Sequence, residues 1–283
     1  MYCIYAFVGL SAHVSVAATI RNQVNGTKFE GEYSCQDFVP YYFLIPFEVD
    51  TTTKCDYVLF FMDISALFYG TLIGCYDGFL AALLNCVKTQ LLILQDAIRS
   101  IRERVMQRLA LDERLDIFHD ETLPKLEEEL YKEFKHLVKH LTIILRVADE
   151  LESMYNLMIL AQTLTSLFNV ASCLFSASRE PVGSAVFFAT LVYFTSILIE
   201  LGVVCWFGGE ITTASEDIMF ALYEVDWFSA SQRFKHSLIL TMCRMQRPIY
   251  LSIGKFFPLT LSAMVSVCKA SFSYYTVFRR SDE

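Results

Sequence analysis

Residues that could carry chemistry are few and scattered in this chain. Of the five histidines, only His136 and His140 have the four-residue spacing of a metal-binding pair on one helix face. They lie in a segment rich in lysine and glutamate, which is typical of a solvated helix face. No CxxC pair, Cys/His cluster or glycine-rich nucleotide loop accompanies them. The sequence therefore predicts no catalytic site, no metal site and no cofactor.

Charged residues inside apolar runs are stronger functional candidates, because a charge within a bilayer is costly. Asp77 and Lys269 lie deepest in such runs, whereas Asp63 and Glu200 lie nearer the ends of theirs. The two deep residues either tie helices together or face water along an ion path. The residues alone leave both alternatives open.

The composition explains why such runs exist. The chain is 54% hydrophobic and only 19% charged, whereas soluble domains usually have about 45–50% apolar and about 25% charged residues. The mean hydropathy is +0.41, and the apolar excess is concentrated in long runs, which favours a membrane protein. The net charge of −8 argues against a nucleic-acid partner, because no basic face compensates it.

Five apolar runs are long enough to cross a bilayer, which needs about 20 residues. The predicted fold is therefore a single all-α, multi-span transmembrane domain over residues 1–283. The first run has no Lys or Arg in its first ten residues, so we interpret it as a span rather than a signal peptide. The predicted spans cover residues 3–20, 57–84, 157–177, 182–207 and 249–276.

The distribution of Lys and Arg predicts the orientation in the membrane. Residues 86–156 contain eleven and residues 208–247 contain four, which makes fifteen on one side, against six in the connections and terminus on the other. We therefore expect a cytoplasmic N-terminus and an outer C-terminus. The glycosylation sequon at Asn25 would lie outside, as would Cys35 and Cys55, which either pair there or remain free.

The two predicted cytoplasmic segments, 86–156 and 208–247, contain apolar stripes at helical spacing. One continues from the second span with Leu91, Leu94 and Ile98, one leads into the third and includes Phe134, and one begins near Ser231. The last presents Phe234, Leu238, Met242 and Met245. Either one chain buries these stripes against each other, or several chains bury them in a shared bundle.

Aromatic and small side chains in the outer halves of the spans suit a pocket for a small volatile molecule, although ordinary helix packing explains them equally well. The candidate ligand-binding residues are Ser11, Ala12, Ser15, Phe60, Phe61, Ile64, Phe68, Phe187, Phe188, Leu191 and Tyr193.

Several separated blocks occur in an informative order. Cys205-Trp206-Phe207-Gly208-Gly209-Glu210 is followed by Ala221-Leu222-Tyr223-Glu224-Val225-Asp226-Trp227, then by Met242 to Pro248, Gly254 to Leu259 and Lys269 to Thr276. This order resembles the insect odorant receptor family. Gly209 stands where the pattern usually has Asn, and Glu200 where it has a neutral residue.

The resemblance implies seven spans, of which these five look like spans three to seven, so we interpret the chain as N-terminally incomplete. It implies a plasma-membrane subunit that binds an odorant and, with a co-receptor subunit, forms a tetrameric nonselective cation channel. The last span would line the pore, with Lys269, Tyr275, Thr276, Val277 and Phe278 as pore or gate candidates. Subunit-assembly candidates are Trp227, Phe234, Leu238, Met242 and Met245. A gustatory-type receptor and a solute carrier are the alternatives.

Overall fold

The computed structural model describes residues 52–111, 123–228 and 230–282. The predicted first span, Ser11, Ala12, Ser15, Asn25 and Cys35 lie outside these residues. Six helices and one two-stranded hairpin occur in the described part. They are α1 (Thr52–Arg99), α2 (Ile101–Arg108), α3 (Pro124–Arg179), α4 (Ala185–Glu224), α5 (Gln232–Met245), β1 (Ser252–Ile253), β2 (Phe257–Pro258) and α6 (Leu261–Asp282).

Three of the described helices are long and apolar enough to cross a membrane, namely Phe60–Arg99, Pro124–Arg179 and Thr190–Glu224. Each continues well beyond the roughly 20 residues that a bilayer requires. The apolar portions of α1, α3 and α4 therefore run without interruption into amphipathic portions. The predicted all-α, multi-span class is confirmed, and α6 remains a predicted span.

The predicted fifth span needs correction, because the helix begins at Leu261 rather than at Ile249. Residues 252–258 form an antiparallel hairpin in which Ser252 faces Pro258 and Ile253 faces Phe257. Gly254 and Lys255 at its turn have φ angles of 58° and 65°, which no helix adopts. Proline at position 258 also lacks the N–H that a continuing helix needs.

The start of α4 also differs slightly from the sequence prediction. Residues 181–184 form a turn, in which Gly183 has a φ of 102°. The helix begins at Ala185, and the Ser184 hydroxyl accepts a hydrogen bond from the Phe187 amide at 3.0 Å. This is the N-cap arrangement that satisfies a free amide of the first turn.

The described chain divides into two compact units. Unit 1 comprises residues 52–80, 164–202 and 265–282, and unit 2 comprises 81–111, 123–163 and 203–264 without the undescribed residue 229. Unit 1 contains a small core in which Val170 and Cys173 of α3 pack against Ile197 of α4. Leu174, Phe194 and Leu198 pack around this core.

Unit 2 buries the amphipathic stripes predicted from the sequence. The side chains of Leu91, Leu94 and Val105 are completely buried, and Phe134 packs on Phe234 with ring centroids 4.7 Å apart. The ring contact joins α3 and α5 of one chain. For these two helices, the structure thus shows burial of the stripes within one chain, which is the first of the two alternatives.

Candidate functional site

The predicted ligand-binding residues on α1 lie at the surface of unit 1. Phe60, Phe61, Ile64 and Phe68 are between 49% and 67% exposed, whereas Val58 and Met62 on the same helix are buried. The inward face of α1 is thus the aliphatic one. The aromatic face remains available to lipid, ligand or a neighbouring helix.

The predicted ligand-binding residues on α4 are likewise mostly exposed. Phe188, Leu191 and Tyr193 are 48–56% exposed. Phe187 is half-buried and meets Phe188 edge to face, with ring centroids 5.9 Å apart. The described part of unit 1 therefore has two exposed aromatic surfaces, on α1 and α4.

Helix α6 has two contrasting faces within unit 1. Ser271 is completely buried, and its hydroxyl lies 3.1 Å from the Leu167 carbonyl of α3. Tyr274 lies beside Phe168 of the same helix, with ring centroids 6.1 Å apart. These contacts fix which side of α6 faces α3.

Asp77, the deep acidic residue of the predicted second span, is buried in α1.

The opposite side of α6 carries a continuous polar stripe, which we define as Ser262, Ser266, Lys269, Ser273 and Thr276. All five side chains are exposed. Their spacing of four, three, four and three residues keeps them on one helix face. Of the pore candidates predicted from the sequence, Lys269 and Thr276 belong to this stripe, whereas Tyr275 is half-buried. The hydroxyls of Ser262, Ser266 and Ser273 complete the stripe and are not among those candidates.

Val277 follows the stripe by one residue and is 61% exposed. The predicted gate segment from Tyr275 to Phe278 thus lies in the last turns of α6. Nothing is described of the Phe278 side chain.

The hairpin between α5 and α6 is held by both neighbouring long helices of unit 2. The Gly254 amide donates to the Asn156 carbonyl of α3 at 3.2 Å, and the Ser252 hydroxyl donates to the Glu152 carboxylate. On the other side, the Ile249 amide donates to the Ser215 hydroxyl of α4 at 2.8 Å. These hydrogen bonds hold residues 249–254, which precede α6, against α3 and α4.

Two glycines bring the hairpin close to these helices. A Cβ atom at Gly208 of α4 would lie 2.5 Å from the Leu259 carbonyl oxygen. A Cβ atom at Gly254 would lie 2.6 Å from the Leu160 side chain. Gly208 requires a residue without a side chain, because the atom it approaches belongs to the backbone. At Gly254 the Leu160 side chain can move, so the φ of 58° is the stronger reason for glycine.

Ion pairs and hydrogen bonds tie α1 and α2 to the other helices of unit 2. Lys88 pairs with Glu210, and Arg99 Nε lies 2.7 Å from Glu224 Oε2. Between them, Gln95 Nε2 donates to the Ala214 carbonyl at 2.7 Å. The glutamate of the Gly208-Gly209-Glu210 block thus has a structural partner on α1.

The predicted assembly stripe on α5 lies mainly in the interior of unit 2. Phe234, Leu238 and Met245 are 1–3% exposed, and Met242 is half-buried. Trp227 precedes α5 and stacks on Phe228 with ring centroids 4.3 Å apart.

The outer side of α5 also has defined contacts. The Arg233 guanidinium lies 4.3 Å from the Tyr131 ring centroid of α3. A hydrogen bond from Ser237 and a second from Arg233 lower the pKa of Tyr131 below its ordinary value. Ile239 and Leu240 of α5 are 57% and 59% exposed, so this helix also presents apolar surface away from the core.

The sequence and fold have close counterparts among known proteins. The family model described as 7tm odorant receptor matches residues 1–272.

The chain belongs to this family of odorant receptors.

Its curated relatives are insect odorant receptors. It is 25% identical to Odorant receptor 2a of Drosophila melanogaster over 164 residues, which is 57% of this chain and 41% of that protein. It is 31% identical to Odorant receptor 10 of Aedes albopictus over 88 residues, or 31% of this chain and 24% of that protein. The chain thus spans less than half the length of these relatives.

The fold is that of a solved insect olfactory receptor. The structure of OR5 from Machilis hrabei in complex with eugenol matches 99% of this odorant receptor chain with a TM-score of 0.75. The identity is 16%, and the match covers 64% of the OR5 chain. The protein is therefore a multi-pass membrane protein with the odorant receptor fold.

Proposed function

We propose that this chain is a subunit of an odorant-gated cation channel at the plasma membrane, which binds a small volatile organic molecule and works with a co-receptor subunit. Family membership supplies the class of ligand. The structural observation that most supports a channel function is the polar stripe on α6.

Four hydroxyls and one ammonium group in a row are unfavourable against lipid. A charged residue at the centre of a spanning helix costs at least about 2.5–3.5 kcal/mol, and such residues usually face water or a protein partner. Since the stripe lies on the side of α6 away from Ser271, its partner in a membrane would be another subunit or a water-filled path. Several subunits around one axis provide both.

The aromatic surfaces of α1 and α4 are the proposed walls of the odorant site. Aromatic rings with a few hydroxyl groups suit an apolar organic ligand that carries one polar function. Ser11, Ala12 and Ser15 of the predicted first span would complete the site. The side chains that are exposed and therefore accessible to a ligand are those of Phe61, Phe68, Phe188 and Tyr193.

Assembly with the co-receptor is proposed to involve the cytoplasmic helices. Phe234, Leu238, Met242 and Met245 would support it by shaping α5, together with Trp227 at the preceding turn. The exposed Ile239 and Leu240 of α5 offer apolar surface for direct contact. Burial of such side chains against a partner would contribute about 1.5–3 kcal/mol each.

The decisive experiment records current from cells that express the full-length receptor with its co-receptor during application of a broad odorant panel. We expect odorant-evoked cation current. Measurable solute uptake without current for any odorant would replace the channel by a carrier.

A second arm of the same experiment tests the polar stripe. Lys269→Gln removes a positive charge from the proposed pore, so inward cation current per surface receptor should rise. We expect a rise of about 2-fold or more, which corresponds to a barrier lowered by about 0.4 kcal/mol or more. Lys139→Gln on the exposed cytoplasmic part of α3 is the matched control and should leave the current unchanged. Equal currents for Lys269→Gln and wild type would remove the stripe from the ion path.

A further inference from the structure

Unit 2 contains a cavity of about 910 Å³ between α3, the end of α5 and the hairpin. Its lining is strongly charged. Arg244, Arg247 and Lys255 contribute three cations, and Asp149 and Glu152 contribute two carboxylates. The proposed odorant site and pore use none of these residues.

Contacts of the hairpin with α3 and with α4 each indicate how deep this cavity lies in the membrane. The hairpin amide of Gly254 bonds to Asn156, which immediately precedes the predicted span 157–177. Leu259 at the end of the hairpin touches Gly208, which immediately follows the predicted span 182–207. With residues 86–156 and 208–247 on the cytoplasmic side, both contacts put the cavity at the inner membrane surface.

The cations lining the cavity are available to a ligand. Arg244, Arg247 and Lys255 are exposed, and within the described residues none of them forms an ion pair. Glu152, in contrast, already accepts a hydrogen bond from Ser252, and Asp149 is exposed. The lining thus has three cations and two carboxylates, of which Glu152 is already hydrogen-bonded to Ser252, so its net charge is positive.

Apolar surface adjoins this charged cavity. Tyr250 belongs to its lining and is 56% exposed, and Phe256 and Phe257 at the hairpin are 75% and 68% exposed. Aromatic side chains of this kind are enriched at the membrane interface, where the ring contacts acyl chains. A ligand that is charged at one end and apolar at the other matches the two surfaces together.

We propose that this cavity binds the headgroup of phosphatidylserine from the inner leaflet. The phosphate and the carboxylate of the headgroup would contact Arg244, Arg247 and Lys255, and its ammonium group would contact Asp149. The acyl chains would lie along Phe256 and Phe257. The proposal rests on the cytoplasmic assignment of these segments and is independent of odorant gating.

Native mass spectrometry of the purified full-length chain in detergent tests this proposal by counting bound lipid. Phosphatidylserine and phosphatidylcholine with identical acyl chains are the two probes. Wild-type protein should retain phosphatidylserine preferentially. The double variant Arg244→Gln/Arg247→Gln should lose about 25-fold in phosphatidylserine affinity, at about 5-fold for each cation removed near a membrane surface.

Lys135→Gln/Lys139→Gln is the matched control, because it removes two exposed cations of α3 outside the cavity. It should retain wild-type lipid binding. Lys255→Gln changes a single exposed residue and should lower the phosphatidylserine affinity about 5-fold. This variant provides the test if the double variant does not fold. Melting temperatures measured in phosphatidylcholine alone identify a folding defect.

Three results would overturn the proposal. These are equal retention of both lipids by wild-type protein, equal losses in the cavity and control variants, and displacement of the lipid by an equal concentration of soluble glycerophosphoserine. The last result would identify a water-soluble ligand. Since no odorant or current is involved, a failure here leaves the proposed channel function untouched.

Discussion

At the scale of single residues, Gly208 controls how closely α4 approaches the start of α6. It faces the Leu259 backbone, whereas a Cβ atom on the adjacent Gly209 would have no heavy atom within 4 Å. The two neighbouring glycines therefore form a natural pair of test positions on one helix.

Gly208→Ala should destabilise the receptor by roughly 1–3 kcal/mol, as overpacked substitutions do, because the new methyl group meets a backbone oxygen that has little freedom to move. Gly209→Ala should be neutral or stabilising by up to about 1 kcal/mol, since alanine favours the helix. Thermal unfolding of the two purified variants checks this. Equal melting temperatures would contradict the close approach at Gly208.

The second residue-scale prediction concerns channel closure. Four copies of the last turns of α6 around one axis would bring Val277 together, and an apolar ring can close a pore by dewetting. Val277→Ser and Phe278→Ser should then raise the current measured without odorant.

Basal current normalised to surface protein is the measurement. If Tyr275 and Phe278 belong instead to the aromatic belt at the outer membrane surface, the variants should change expression but leave the channel closed. An unchanged basal current in both variants would exclude this segment as the gate.

At the scale of elements, variants of α5 can test folding and assembly separately. The helix has buried apolar residues, and exposed apolar residues lie next to them in the sequence. Phe234→Asp/Leu238→Asp places charges in the core of unit 2, so we expect loss of folded protein and hence of co-purification with the co-receptor. Ile239→Asp/Leu240→Asp changes exposed residues and should weaken co-purification while the chain stays folded.

Co-purification and size-exclusion chromatography of both double variants provide the measurement. Retained assembly in the folded Ile239→Asp/Leu240→Asp variant would show that this face of α5 does not contact the partner. Folded, assembled Phe234→Asp/Leu238→Asp protein would contradict the burial of the stripe.

The sequence predicted the long helices well, because a single periodic pattern continues over many turns. Leu91, Leu94 and Ile98 on α1 and Phe134 on α3 were predicted as stripe residues and are buried. Periodicity cannot tell whether a stripe meets its own chain or another, since both remove the same apolar area from water. The contact of Phe134 with Phe234 shows that the stripes of α3 and α5 meet within one chain.

The hairpin was missed because its residues are as apolar as those of a span. The hydropathy stays high through Ile249, Leu251, Phe256 and Phe257, so the sequence predicts one continuous apolar run from Ile249 into α6. Pro258, together with Gly254 ahead of it, was the available signal, since this pair is unfavourable in a helix interior. The prediction of the ligand site has a similar limit, because aromatic residues identify one face of a helix but do not indicate what that face contacts.

At the scale of the whole molecule, the proposed pore, odorant site and lipid site all depend on the orientation of the chain in the membrane. The charge distribution predicts an outer C-terminus. An epitope fused after Glu283 should be labelled by antibody on intact cells, and loss of the Asn25 sequon should abolish any glycan on the first connection. Labelling of the epitope only after permeabilisation would invert the assignment.

The hairpin has a mechanical consequence. It holds the start of α6 at one height along two long helices, through Asn156 on α3 and Gly208 on α4. With 22 residues α6 is about 33 Å long, close to the roughly 30 Å of a hydrocarbon core. A thinner bilayer would be accommodated by a larger tilt of α6. If α6 lines the proposed pore, we therefore expect the thickness of the surrounding membrane to change the current measured without odorant.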